Sequence, residues 1–142
     1  MQEALGRAQA LAGVFAGQIW WVPDRLVDLG EGSTGFRTFH DQRPVIVIQG
    51  DDIGQNRYCG SVVVMPCSSK VDLKEEWETV LEAGESALDE ASVVKVHLIQ
   101  PLKRSELLAQ GQLVGYIDPA ALQRIRFLLI FNLGVISSIP KP

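Results

Sequence analysis

Apolar residues run along the chain in two rhythms, and the switches between them mark out the elements. Leu5, Ala8, Leu11, Ala12 and Phe15 recur every three or four positions, which predicts an amphipathic helix over residues 1–16. Gly17 divides it from a strand over 18–22, ended by Pro23 and Asp24. Residues 28–42 hold Gly30-Glu31-Gly32-Ser33 and Gly35 with little core signal, a long loop of the kind that serves function or moves. Arg43-Pro44 then opens Val45-Ile46-Val47-Ile48, four β-branched residues in a row, as in a strand covered on both faces. Pro44 suits its first position, where no ladder donor is needed.

Residues 50–56 read as turns and 58–68 as the next strand, with Val62-Val63-Val64 at its heart. Over 76–81, Trp77, Thr79 and Leu81 alternate with Glu76, Glu78 and Val80, a half-exposed strand. Residues 92–98 form another strand, ended by Pro101. One or two helical turns over 104–110 and a short strand over 112–116 follow. Asp118 reads as the cap of a last helix with Pro119 at its first position. Leu122, Ile125, Leu128, Leu129 and Leu133 form that helix's stripe, and Gly134 stops it. The pattern predicts a mainly β (α+β) chain, a compact antiparallel barrel with a C-terminal helix and an extra N-terminal helix. Residues 1–16 form the helical extension, 17–134 the barrel domain and 135–142 a flexible tail.

A length of 142 residues suits one domain with a core of its own. The net charge of −4 argues against a general nucleic-acid coat, so any nucleic-acid contact has to use a local basic groove. Cys59 and Cys67 fall in one expected strand, roughly 26 Å apart at strand rise. That is too far to bridge, so both are expected as free thiols in a reducing cytoplasm. No metal-ligand spacing is present, no cofactor is expected, and no segment has the length and apolarity of a membrane span.

Four segments, in order, resemble the MazF/PemK toxin family. They are Gly17-Gln18-Ile19-Trp20, Arg43-Pro44-Val45-Ile46-Val47-Ile48, Val62-Val63-Val64-Met65-Pro66-Cys67-Ser68-Ser69 and Gly115-Tyr116-Ile117-Asp118-Pro119-Ala120-Ala121-Leu122. The Arg-Pro strand and the Pro-Cys-Ser-Ser strand end are the most specific pieces. The resemblance implies a small SH3-like barrel of the CcdB/PemK type with a C-terminal helix, working as a cytoplasmic homodimer. It also implies metal-independent cleavage of single-stranded RNA such as mRNA, and a cognate antitoxin whose flexible tail blocks the site.

Such cleavage uses the RNA's own 2′-hydroxyl, and the enzyme supplies a base, an acid and stabilisation of charge on phosphorus. Arg43 corresponds to the family's catalytic arginine, whose planar fork suits phosphate. Its loss is expected to abolish cutting without unfolding the barrel. Without the resemblance it is a surface arginine beside an edge proline. Ser68 falls where the family has a catalytic or phosphate-positioning threonine, or is simply a strand-end serine bonding a local turn, and Ser69 beside it shares the task. His40, three residues before Arg43, has the side chain best suited to acid–base work near neutrality. His97 stands where the family often has an acidic residue, and either takes over acid–base work or is a hydrogen-bonded barrel residue. Trp20 and Trp21 face opposite sides of a strand, one in the core and one free to stack on a base; Trp20 is taken as the RNA contact. Arg37 and Phe39, with Phe36, suit single-stranded RNA or the anchoring of their own loop. The acidic run from Asp72 to Glu90 reads as a solvated face on the side opposite Arg43. Two alternatives stand beside the ribonuclease: a non-catalytic, partner-binding or degenerate toxin, and a gyrase-poisoning relative acting through its last helix.

Overall fold

The computed structural model describes residues 13–30 and 41–136 of the chain. Seven strands build a single bent antiparallel sheet: β1 (Gln18–Pro23), β2 (Gln42–Val47), β3 (Ser61–Ser68), β4 (Thr79–Leu81), β5 (Ser92–Val94), β6 (Gln100–Lys103) and β7 (Gln112–Tyr116). Three α-helices accompany them among the described residues: α1 (Asp51–Gly54), α2 (Arg104–Gln110) and α3 (Pro119–Asn132). The strand order is β4-β5-β3-β2-β1-β7, with β6 also on β3. β5 lies on the C-terminal end of β3 and β6 on its N-terminal half. The sheet thus curls around β3 into a half-barrel.

The registers Ile19↔Ile46, Trp20↔Val45 and Ile46↔Met65 sort side chains onto two faces. Ile19, Ile46, Met65 and Cys67 pack under Ile117, Ala121, Ile125 and Leu128, at or just before the buried stripe of α3. Trp20, Val22, Val45, Val47, Val62 and Val64 form a second core on the opposite face, covered by Val14, Val27 and Leu107 of α2. Both faces of β2 are therefore dry, which is why its sequence shows no polar alternation. Gly17, at φ 85°, turns the chain into β1, a conformation that only glycine adopts without strain.

Buried Gln18 fixes the start of β1. Its Oε1 accepts from the Phe15 amide at 2.9 Å and from Trp20 Nε1 at 3.1 Å, and its Nε2 donates to Tyr116 Oη at 3.2 Å. The indole of Trp20, 0% exposed, is thus sealed and hydrogen-bonded inside the second core.

Several expectations need correction. Residues 13–16 are not helical; the rest of the predicted N-terminal helix, residues 1–12, lies outside the described residues, as does the tail over 137–142. The strand over 76–81 shrinks to β4, and two residues before it depart from the alternation: Glu78 is buried while Trp77 is 42% exposed. Buried Glu78 has its partners inside: Lys95 Nζ stands 2.8 Å from Oε2, an ion pair off the hydrogen-bond angle, and Oε1 accepts from the Glu75 amide. The strand over 92–98 stops at Val94 and turns into a 3-10 segment, Val96–Leu98. Pro101 does not end a strand; it sits within β6, opposite Val63. β6 is one short end strand of the curl, a place that tolerates a missing donor. Asp118 occupies the cap position of α3 without a side-chain capping bond, and Leu133 is exposed rather than part of the buried stripe.

α3 is instead stapled to β4 from outside. Arg124 grips Glu85 with two bonds, Nη1–Oε2 at 2.7 Å and Nη2–Oε1 at 3.0 Å, and its Nη2 also donates to the Val80 carbonyl at 3.2 Å. The Arg124 bonds hold the Glu85 carboxyl below the usual carboxylate range.

Two outcomes follow for stability. Trp20→Ala should cost about 3–5 kcal/mol in urea unfolding, the range for emptying a large aromatic site. Glu85→Gln should cost about 0.5–1 kcal/mol at neutral pH, discounted because Arg124 is 42% exposed. A lowered folded-state pKa gives stability above the unfolded-state value that is lost as pH falls through the folded one. The gap between variant and wild type should therefore close in unfolding curves taken below the ordinary carboxylate range.

Candidate functional site

β1, β2 and β3 end together at one rim of the sheet, and the residues there come from the two most specific sequence motifs. Arg43 is 5% exposed although it is the second residue of its strand. Its Nε donates to Asp24 Oδ1 at 2.7 Å, and its Nη1 donates to the Cys67 carbonyl at 2.9 Å. Asp24, just past β1, is itself 3% exposed. A guanidinium in so dry a place needs a counter-charge, and Asp24 supplies it. The ladder with β3 begins at Val45↔Pro66, so Pro44 withholds its missing donor where no ladder bond is made.

Continuing that ladder two steps outward sets Arg43 opposite Ser68, on the face that carries Val22 and Val45. The Ser68 hydroxyl accepts from the Lys70 amide at 3.2 Å, a local turn that ends β3. Cys67, between them in sequence, points into the first core. Burial pushes its thiol up to about 12 against a smaller opposing effect of Arg43, so it is no nucleophile.

Beside this rim lies a cleft of about 330 Å³, lined by Trp21, Arg43, Ser69, Asp89, Glu90 and Ser92 among others. Arg43 and Ser69 therefore share a cleft, while Ser68 adjoins it without lining it. Trp21, partly buried, takes the position at the cleft that Trp20 was expected to fill. Trp20 faces the other way and has no free ring face for a base. The acidic run does not keep to the side opposite Arg43: Asp89 and Glu90 border the same cleft. His97 is exposed on the 3-10 segment, edge-on to Trp77 at a centroid distance of 6.0 Å, and it does not line the cleft. His40, Arg37 and Phe39 lie outside the described residues.

Sequence reading missed Asp24, taken there as a strand terminator, and the lining by Asp89, Glu90 and Ser92. No local signal pairs Asp24 with Arg43; the partnership exists only once β1 and β2 are zipped. For the tryptophans, polar Gln18 on the side of Trp20 and Val22 pointed that face toward solvent, whereas the structure buries it. Among the described residues no three His, Cys, Asp or Glu side chains gather as a metal cradle, and no helix is long and apolar enough to cross a membrane.

Among solved structures, MazF (Form-I) from Deinococcus radiodurans is 20% identical with a TM-score of 0.62, over 86% of this chain and 97% of that one. The MazE–MazF structure (Form-III) from the same organism is 18% identical with a TM-score of 0.60, over 87% and 99%. An endoribonuclease in complex with its cognate antitoxin, from Mycobacterial species, is 20% identical with a TM-score of 0.58, over 92% and 98%. At these identities the likeness establishes the fold, a MazF-like half-barrel with a C-terminal helix. None of the curated proteins matches the chain. The family model of PemK-like, MazF-like toxins of type II toxin–antitoxin systems matches residues 16–131, most of the chain and all three strands that build the rim. The chain belongs to that toxin family.

Proposed function

We propose that this toxin is a metal-independent endoribonuclease that cuts single-stranded RNA by attack of the 2′-hydroxyl on the neighbouring phosphorus. The observation that carries the reading is the placement of Arg43. A guanidinium clamped by Asp24 and the Cys67 carbonyl cannot swing away, and it stands at the strand ends that also present Ser68 and Ser69. Such a group is preorganised for charge that develops on a phosphate, which is where electrostatic catalysis acts. Ser68 or Ser69 donates to a phosphate oxygen, and His40, three residues before Arg43, serves as the base. The likeness to an endoribonuclease solved in complex with its cognate antitoxin supports an antitoxin as the partner that neutralises it. On the same reading the toxin works as a cytoplasmic homodimer, built from residues 17–134.

A second reading has a specific observation behind it. Asp24 cancels the Arg43 charge, and Asp89 and Glu90 add negative charge at the cleft. That balance suits a toxin that has kept its partner-binding role and lost cleavage.

The buried pair changes how Arg43 must be tested. Arg43→Ala removes the buried counter-charge of Asp24, at a cost of about 3–5 kcal/mol, so the barrel is not expected to survive that change intact. Arg43→Gln combined with Asp24→Asn keeps two neutral, hydrogen-bonding groups of similar size. The wild type should cut a mixed single-stranded RNA pool in EDTA, leaving cyclic or 3′-phosphate ends. The double variant, shown folded by circular dichroism and melting, should cut about 10²–10³-fold more slowly. Undiminished cutting by the folded double variant would remove Arg43 from the chemistry. An intact wild type that captures an antitoxin yet cuts no RNA would decide for the second reading.

A further inference from the structure

Phosphate chemistry leaves the rest of the cleft unexplained. The registers Trp21↔Pro44 and Cys67↔Val94 place an apolar row across the sheet. One step further out, Gln42, Ser69 and Ser92 stand abreast on β2, just past β3, and on β5, and all three line the cleft. Asp89 and Glu90 close it from the segment that leads into β5. Ser92 is 6% exposed, yet its hydroxyl has no hydrogen-bond partner among the described residues. The same holds for the side chains of Gln42, Ser69, Asp89 and Glu90. The hydroxyl of this largely buried residue opens at the cleft with no partner among the described residues, beside two exposed carboxylates, and such a set of groups is placed to meet a ligand.

The chemistry narrows what that something is. Carboxylates accept hydrogen bonds and donate none, so they repel phosphate and require N–H or O–H groups. The Trp21 ring supplies the flat apolar surface on which a nucleobase stacks. A volume of about 330 Å³ is at the small end for ligand pockets, enough for one base with its sugar. Of the four RNA bases, guanine alone carries two adjacent donors, N1–H and the N2 amino group, on its Watson–Crick edge. A carboxylate receives that pair with both oxygens. Adenine and cytosine offer one amino group there, and uracil one imino group.

We propose that the cleft is a guanine pocket, with Trp21 beneath the base, Asp89 or Glu90 receiving its N1–H and N2–H groups, and Ser69 and Ser92 free to reach O6 or the sugar. The pocket gives the ribonuclease reading its specificity and rests on RNA being the substrate.

The test uses nucleosides, which carry no phosphate, so it stands apart from the cutting chemistry. Guanosine, adenosine, cytidine and uridine are titrated into the full chain by calorimetry. Guanosine should bind at least tenfold more tightly than the other three. Asp89→Asn with Glu90→Gln, at two exposed positions that leave the core untouched, should erase that preference. In RNA digests the wild type should cut beside guanine, and the double variant should lose that bias. Equal affinity for all four nucleosides, or no binding of any, overturns the pocket even when RNA is cut. A guanosine preference in a protein that cuts no RNA keeps the pocket and overturns the ribonuclease reading.

Discussion

The ion pair of Arg43 and Asp24 is the constraint around which the functional end of this toxin is arranged. Desolvating a guanidinium and a carboxylate costs several kcal/mol per ion, and only close geometry with further hydrogen bonds offsets it. Here the contact is 2.7 Å, and a second guanidinium nitrogen donates to the Cys67 carbonyl. One side chain thereby fastens the residue after β1, the start of β2 and the end of β3. The same fastening holds the three strand ends at one rim, so the position of every candidate group there depends on it.

Strand alternation sorts the rim residues by face, and Arg43 still reaches the cleft that the other face lines. Arg43 and Ser68 share a face with Val22 and Val45, whereas Gln42, Ser69 and Ser92 fall on the face of Trp21 and Cys67. A one-residue slip of β2 against β3 would exchange the two sets. The register is guarded against such a slip because both faces are buried: a slip would move Val45 and Ile46 into cores of the wrong shape. The dry double core therefore fixes the side on which each polar group emerges.

Much of this was legible in the sequence. The β-branched run of β2, α2 over Arg104–Gln110 and β7 over Gln112–Tyr116 emerged where local periodicity and punctuation placed them. The family was legible because Arg43-Pro44 and Pro66-Cys67-Ser68 are fixed by local backbone needs at strand ends. What stayed hidden depends on residues far apart in the chain. Glu78 is buried because Lys95 meets it, although alternation assigned it to solvent. Asp24 looks like a stop signal until Arg43 arrives beside it. Pro101 reads as a terminator because only tertiary structure shows that it lies at an end of the curled sheet. The choice between Trp20 and Trp21 was closed by Gln18, whose amide receives the Trp20 indole.

The charge balance at the rim also bears on which RNA the proposed reaction would accept. Arg43 meets Asp24, and Asp89 and Glu90 stand near it in a chain of net charge −4. Such a surface gains little from the release of counterions by a duplex backbone, the effect that drives indiscriminate nucleic-acid binding. Recognition has to come from hydrogen bonds and stacking, and these need bases whose edges are free. Single strands offer such edges and duplexes hide them. An acidic cleft is therefore compatible with a ribonuclease, provided that affinity comes from reading bases and the buried arginine acts on one phosphate at a time.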